Sequence, residues 1–312
     1  MATLFWHHTH TPDSNATERA VRGVPSGNHR GDYLAVLDAA PPGVDVVFTR
    51  TEHWRAPPER FETLRERVRA RGGTYREYRA HAVVEVAGSR GAVLNGVEAS
   101  LATDRSHVTV CGLPIEERPP ARACSLDELV ELAGEAAWLA PAHPRFPTLG
   151  FPPERLRGLL SRAESAGIPA ALGHTTGYTR ALNALARGRH TATPVRAFAD
   201  EFDVPLLPEL DWHAALPRSP AGFGVVDDAA FDALAAGEMP TERLLDARAI
   251  REAGPPGLSW RDFLRTYPDS VPRPLRRVAA AAPPSAASLD GVRDASLARL
   301  FAHSFWASFA DG

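Results

Sequence analysis

Near the N-terminus, His7-His8-Thr9-His10-Thr11 follows a short apolar run, Leu4-Phe5-Trp6, that reads as a buried strand. In an extended chain, side chains at i and i+2 share a face. His8 and His10 therefore project together from the end of that strand, as two imidazoles holding one metal ion must. The same spacing also suits a pair of surface or hydrogen-bonded histidines, so the metal reading depends on matching donors elsewhere. They recur along the chain. His53 lies just past the run Val44–Phe48, Glu98 ends the run Gly91–Val97, and His107 opens another at Val108–Leu113. His143 follows Trp138-Leu-Ala-Pro-Ala, and Asp211-Trp-His213 closes the run Pro205–Leu210 with the same i, i+2 logic. Six of the twelve histidines thus sit at or next to a predicted strand end.

Each donor also has a plainer reading. His53 could be an ordinary polar loop residue, and Glu98 could be the partner of a nearby arginine. Cys111 lies inside an apolar run and reads as core. Arg55 and Arg145, beside His53 and His143-Pro144, could clamp a phosphate bidentately, or each could serve in a salt bridge. His174, after the short strand Ala170–Gly173, could touch substrate or be a hydrogen-bonded loop histidine.

The elements that must position these donors alternate. Helices are expected over Asp32–Ala40, Pro57–Arg71, Ser125–Ala133, Leu156–Ala166, Thr179–Arg187 and Val195–Phe202, between the strands named above and His81–Val86. Such alternation to about residue 215 predicts an α/β fold of parallel strands wrapped by helices. Repeated donors at strand ends favour a TIM-like barrel, where a closed sheet brings many strand ends to one rim. Thr11–Gly31 reads as a long surface loop beside the site. Beyond residue 220 the pattern turns helical, at about 228–236, 241–252, 260–266 and 288–309, with an Ala/Pro/Ser linker over 279–287. The expectation is a barrel over residues 1–220 and a C-terminal helical extension over 221–312 packed on it. Leu297, Leu300, Phe301, Phe305 and Phe309 form the apolar stripe of the last helix, suited to that packing or to a partner.

Composition narrows the chemistry. The chain has 312 residues, 44% hydrophobic and 23% charged, which suits a soluble globular protein with a sizeable core. A formal net charge of −3 gives no signature of duplex nucleic-acid binding. All 35 basic residues are arginine. Without lysine there is no Schiff-base nucleophile, no P-loop lysine and no carbamylated lysine bridging two metals. No apolar stretch approaches the roughly 20 residues that span a bilayer, so no membrane partner is expected. No signal-peptide pattern opens the chain, and two cysteines are too few for a disulfide framework, so a cytoplasmic location is expected.

The ordered set His8-Thr-His10-Thr, Thr51-Glu-His53, Gly96-Val-Glu98 with His107, Ala142-His143-Pro144 and Asp211-Trp-His213 resembles the PHP (polymerase and histidinol phosphatase) superfamily over roughly residues 4–215. That resemblance implies a distorted (β/α)7 barrel and a metal-dependent phosphoesterase holding two to three divalent ions, zinc, manganese or iron. It implies that His8, His10, Glu98 and Asp211 hold one metal. Glu98 would bridge to a second metal held with His107 and His143, and His53 and His213 would share a third. Glu98, Asp211 and His143 would be central to catalysis, with Arg55, Arg145 and His174 near substrate. Imidazoles suit these metals, and clustered cations make hydroxide available near neutral pH while offsetting phosphoryl charge.

The chain departs from the family pattern in three places. Asn15 occupies a ligand position in Thr11-Pro-Asp13-Ser14-Asn15, Trp6 replaces an aspartate, and a glutamate is missing near Gly173-His174. The leading expectation is hydrolysis of a small phosphomonoester or of a nucleotide or oligonucleotide end by metal-activated hydroxide. Asn15 favours a non-catalytic or regulatory metal-binding domain instead. A TIM-barrel amidohydrolase also opens with HxH; its common form bridges metals with the lysine this chain lacks, and Glu98 could take that place.

Overall fold

The computed structural model of the chain describes residues 2–10, 33–40, 43–53, 60–103, 106–117, 123–142, 144, 151–174, 195–209 and 224–249. In chain order the elements are β1 (Ala2–Thr9), α1 (Tyr33–Ala39), β2 (Val44–Arg50), β3 (Glu52–His53), α2 (Arg60–Ala70), β4 (Thr74–Glu77), β5 (His81–Val86), β6 (Ser89–Leu94), β7 (Gly96–Ser100) and β8 (His107–Cys111). There follow α3 (Leu126–Ala133), β9 (Trp138–Pro141), α4 (Pro153–Ser165), β10 (Leu172–His174), α5 (Val195–Phe202), β11 (Leu206–Pro208), β12 (Gly224–Val226), α6 (Asp228–Ala236), α7 (Thr241–Leu245) and β13 (Arg248–Ala249).

Local chemistry sets several boundaries. Ser125 and Glu128 form a reciprocal capping box that starts α3. Pro153 opens α4, where a missing N–H costs nothing. Asp227 caps α6, and Gly237, at φ 91°, ends it in the left-handed region.

Among the described residues, the strands do not close into the expected (β/α)7 barrel. They form three sheets, one of seven strands in the order β13-β12-β1-β2-β6-β5-β4, one of four in the order β3-β7-β8-β9, and the pair β10-β11. Among the described residues, β1/β2, β2/β6, β3/β7 and β10/β11 pair in parallel, with isolated parallel bridges at Leu101–Cys124 and Leu139–Ala170. The β4/β5, β5/β6, β7/β8, β8/β9, β1/β12 and β12/β13 pairs are antiparallel. For the β4/β5, β5/β6 and β7/β8 pairs the physical reason is connection length. A parallel neighbour needs a crossover of about a dozen residues or more, whereas β5 and β6 are joined by Ala87-Gly88, both at positive φ (53° and 84°). That is the geometry of a tight hairpin turn.

Three further elements differ from expectation. The run Gly91–Val97 is two strands, parted at Asn95. The helix expected over 241–252 stops at Leu245 and is followed by β13. Past residue 220 the chain also contributes β12, which pairs with β1 in the main sheet. The helices expected at Thr179–Arg187, 260–266 and 288–309 lie outside the described residues.

Among the described residues the core has three parts. Leu4, Trp6, Val46, Phe48 and the apolar faces of α1 and α2 fill one side of the main sheet. Phe5, Val47, Trp138, Leu207, Phe231, Leu234 and Leu244 fill the other. Val97, Val108, Val110, Leu159 and Phe198 pack the four-stranded sheet against α3, α4 and α5. All seven residues of β2 are buried, because apolar layers cover both of its faces.

One device matters most for the site. β2 pairs with β6 in parallel, and the chain then continues past Thr51 and Asn95 into β3 and β7, which pair in the same register. Two paired strands therefore turn a corner together, from one sheet into the next. Gly96 sits at that corner. A Cβ there would come within 2.7 Å of the Val110 carbonyl oxygen and 3.0 Å of that of Arg50. Among the described residues, no helix is long and apolar enough to cross a membrane.

Candidate metal centre

The end of β1 is irregular. Trp6 pairs with Phe48 and Thr9 with Arg50, so three steps on β1 oppose two on β2. This bulge re-aims the side chains that follow it. Leu4 and Trp6 face one core and Phe5 the other. Strict alternation would send His8 and His10 to the Trp6 side. Thr9 takes that side instead, with its hydroxyl donating to the Thr49 carbonyl at 2.8 Å and lying 3.1 Å from the Tyr33 hydroxyl. Thr51, between β2 and β3, locks the same residue. Its hydroxyl accepts from the Thr9 N–H at 3.1 Å and donates to the Thr9 carbonyl at 3.1 Å. The histidines on either side of Thr9 are thereby held.

His8 and His10 converge on Glu98 of β7, on the face opposite Val97 and Ala99. The His8 and His10 Nε2 atoms are 3.0 Å apart. Glu98 Oε2 lies 3.6 Å from His8 Nε2 and 3.3 Å from His10 Nε2. All three residues are buried. The other oxygen of the same carboxylate, Oε1, accepts from His107 Nδ1 at 2.7 Å. His107 is two positions from the residue opposite Glu98 across the β7/β8 ladder and shares its face.

This donor set fits a divalent cation. Two imidazole nitrogens and a carboxylate oxygen are ligands that zinc, manganese and iron accept. Donors at about 2.1 Å from one ion stand about 3.0–3.4 Å apart for octahedral to tetrahedral angles. The three observed separations, 3.0, 3.3 and 3.6 Å, bracket that range. The hydrogen bond from His107 to the other oxygen fixes the orientation of the carboxylate toward His8 and His10.

On the far side of His8, its Nδ1–H donates to Glu209 Oε1, just past the end of β11. The side chains of both residues are fully buried. Glu209 was not among the sequence candidates. The run Pro205–Leu210 reads as an apolar strand delivering Asp211 and His213, with Glu209 as its one acidic residue. A carboxylate inside a buried apolar run was the available signal.

His7 plays a different part from its neighbours. It packs edge-on to Phe5 with centroids 6.3 Å apart and lies 6.4 Å from the Trp138 ring. Thr109 donates its hydroxyl to the Ala140 carbonyl, so the 3.2 Å contact with His7 Nε2 is an N–H donated by the histidine. Burial pushes His7 down to about 4, Glu209 opposes that shift and His8 adds to it. Cys111 lies 3.9 Å from His7 Nε2, and burial pushes its thiol up out of the reactive range.

The remaining candidates are placed as follows. The backbone of His53 lies opposite Glu98 in the β3/β7 pairing, and His174 ends β10 beside Pro208. His143, Asp211, His213, Arg55 and Arg145 lie outside the described residues, as do Asp13, Ser14 and Asn15. Comparison with protein-family models, with curated proteins and with solved structures returned no match to this chain.

Proposed function

We propose that this chain is a metal-dependent hydrolase acting on phosphate esters, with the His8–His10–Glu98 cluster as its first cation site. The observation that carries this reading is the placement of Glu98. One buried carboxylate addresses His8 and His10 through Oε2 and His107 through Oε1. His8, His10 and Glu98 would hold one ion, with His107 holding the Glu98 carboxylate in place. Bound cations supply a nucleophilic water near neutral pH and offset charge on a phosphoryl group. The protein's own part is rigidity. Thr9, clamped by Thr49 and Thr51, holds the two imidazoles at fixed separation. The corner at Gly96 brings the Glu98 strand to meet them. The resemblance of the ordered motifs to PHP phosphoesterases supports the choice of phosphate ester over amide.

A second reading, a non-catalytic metal-binding domain, is favoured by the depth of the cluster, since His8, His10 and Glu98 are at most 1% exposed, and by Asn15 in the sequence. One experiment separates the two. Metal content is measured on protein purified without added metal, and turnover is then assayed with Mn²⁺ or Zn²⁺ on p-nitrophenyl phosphate, a short oligonucleotide and an amide panel. Phosphate release that disappears in Glu98→Gln, together with bound metal, supports the hydrolase. Bound metal without turnover on any substrate selects the second reading, and absence of metal binding overturns both.

A further inference from the structure

We infer that Glu209 is a positioning residue for the metal centre, fixing His8 in its Nδ1–H form so that the Nε2 lone pair is aimed at the cluster, and that Gly173 exists as glycine to give that carboxylate room. The inference rests on the metal reading of His8, His10 and Glu98, but it concerns groups that touch no metal.

The argument begins with the imidazole. A neutral histidine carries one ring proton, and only the bare nitrogen can ligate. Left to itself, a histidine samples both tautomers. His8 Nδ1 faces Glu209 Oε1 and His8 Nε2 faces His10 and Glu98. A carboxylate can only accept, so the proton is held at Nδ1 and Nε2 is left to donate its pair. A ligand histidine whose second nitrogen is held by a carboxylate is oriented and made more basic, and losing that partner costs about 10–100-fold in metal affinity.

The space for Glu209 is specific as well. Gly173 of β10 pairs with Leu207 of β11, two residues before Glu209. A Cβ built on Gly173 would overlap Glu209 Oε2 and come within 2.7 Å of Glu209 Cδ, with the Pro141 carbonyl oxygen 3.1 Å away on another side. Gly173 is not at positive φ, so the backbone itself tolerates alanine. The group that must yield is the carboxylate end of Glu209, the most easily moved of these neighbours. Gly173→Ala is therefore a way to push Glu209 off His8 without altering either residue.

The test uses the full chain stripped of metal, with folding checked by circular dichroism. Zn²⁺ affinity is measured by competition with a chromophoric chelator for wild type, Glu209→Ala, Glu209→Gln and Gly173→Ala. The His8 tautomer is read in the metal-free protein by ¹⁵N NMR. The expected result is an affinity loss of about 10–100-fold in Glu209→Ala and in Gly173→Ala. Glu209→Gln should recover part of it, because its amide oxygen still accepts from Nδ1–H. His8 should be Nδ1–H in wild type and a mixture in Glu209→Ala and Gly173→Ala. A generic packing defect would lower stability without moving the tautomer. Wild-type affinity in both folded variants, or an unchanged His8 tautomer, overturns the inference while leaving the metal reading intact. If wild type binds no Zn²⁺, the metal reading fails and the tautomer comparison still decides the role of Glu209. If Glu209→Ala does not fold, Glu209→Gln and Gly173→Ala carry the same decision.

Discussion

His7 should give the protein an acid-sensitive stability. Its imidazole is fully buried and pushed from 6.5 down to about 4, chiefly by loss of solvent, with His8 adding and Glu209 opposing. At pH 7.5 the residue is neutral in both folded and unfolded chains and contributes nothing to the difference. As pH falls below 6.5 the unfolded chain binds a proton that the folded chain refuses, so stability falls. The loss ends near pH 4, where the folded form also takes the proton. Linkage gives about 2 kcal/mol lost between pH 7.5 and pH 5, and about 3 kcal/mol at the acid limit. The assay is urea denaturation of wild type and His7→Leu across that range, in EDTA so that metal binding to the neighbouring histidines does not enter. Leucine has nearly the volume of histidine and suits the Phe5 and Trp138 surroundings. The variant should lack this part of the acid limb, so the gap between the two curves should change by about 2 kcal/mol between pH 7.5 and 5. Curves that stay parallel within about 0.5 kcal/mol would refute the reasoning, because His7 would then titrate alike in both states.

Other perturbations follow from the same geometry. Asp45 has an 8% exposed side chain and a two-pronged contact from Arg90, which is 39% exposed. Arg90→Ala strands a buried carboxylate and should cost about 3 kcal/mol, whereas Asp45→Ala frees a cation that water can reach and should cost about 1 kcal/mol; urea denaturation at pH 7 would show the asymmetry. Gly96→Ala sets a methyl group against two backbone oxygens and should cost about 2–3 kcal/mol, with weaker Zn²⁺ binding because Glu98 is two residues away. Cys111 and Cys124 are fully buried, so neither should react with a thiol reagent in native protein, and both should react in urea. Saturating metal should stabilise the fold by about 2.7 kcal/mol at a hundredfold excess over its dissociation constant, read as a shift in thermal midpoint.

Much of the centre was legible because it rests on period and spacing. His8 and His10 share a face, Glu98 and His107 sit on adjacent runs, and all four meet. The bulge was not legible. Nothing in Phe5-Trp6-His7-His8 marks which residue is the extra one, and without it the i, i+2 pair points into the wrong core. Glu209 was missed for a related reason. Its partner is 201 positions away, and only the pairing of β10 with β11 brings it behind His8. The hydrophobic pattern of residues 205–210 says that a strand is present but not what lies beside it.

The barrel expectation fails because strand ends can converge without closure of the sheet. Here convergence is achieved by bending a pair of strands. Thr49 pairs with Leu94 before the corner, and Glu52 pairs with Val97 after it, at the same offset. The two chains thus keep their ladder in step while leaving one sheet for another. At the bend, Asn95 donates to the carbonyls of Leu113 and Pro114 at 3.3 and 2.8 Å, and Gly96 allows the close approach to Val110 and Arg50. The Asn-Gly inside an apolar run was the sequence trace of this corner, since both residues are depleted in strands and a glycine there marks a bend or a close backbone approach. Donors at strand ends therefore constrain where chemistry gathers more tightly than they constrain topology. A bent strand pair, a bulge and one cleared position at Gly173 are enough to bring two imidazoles and two carboxylates into register.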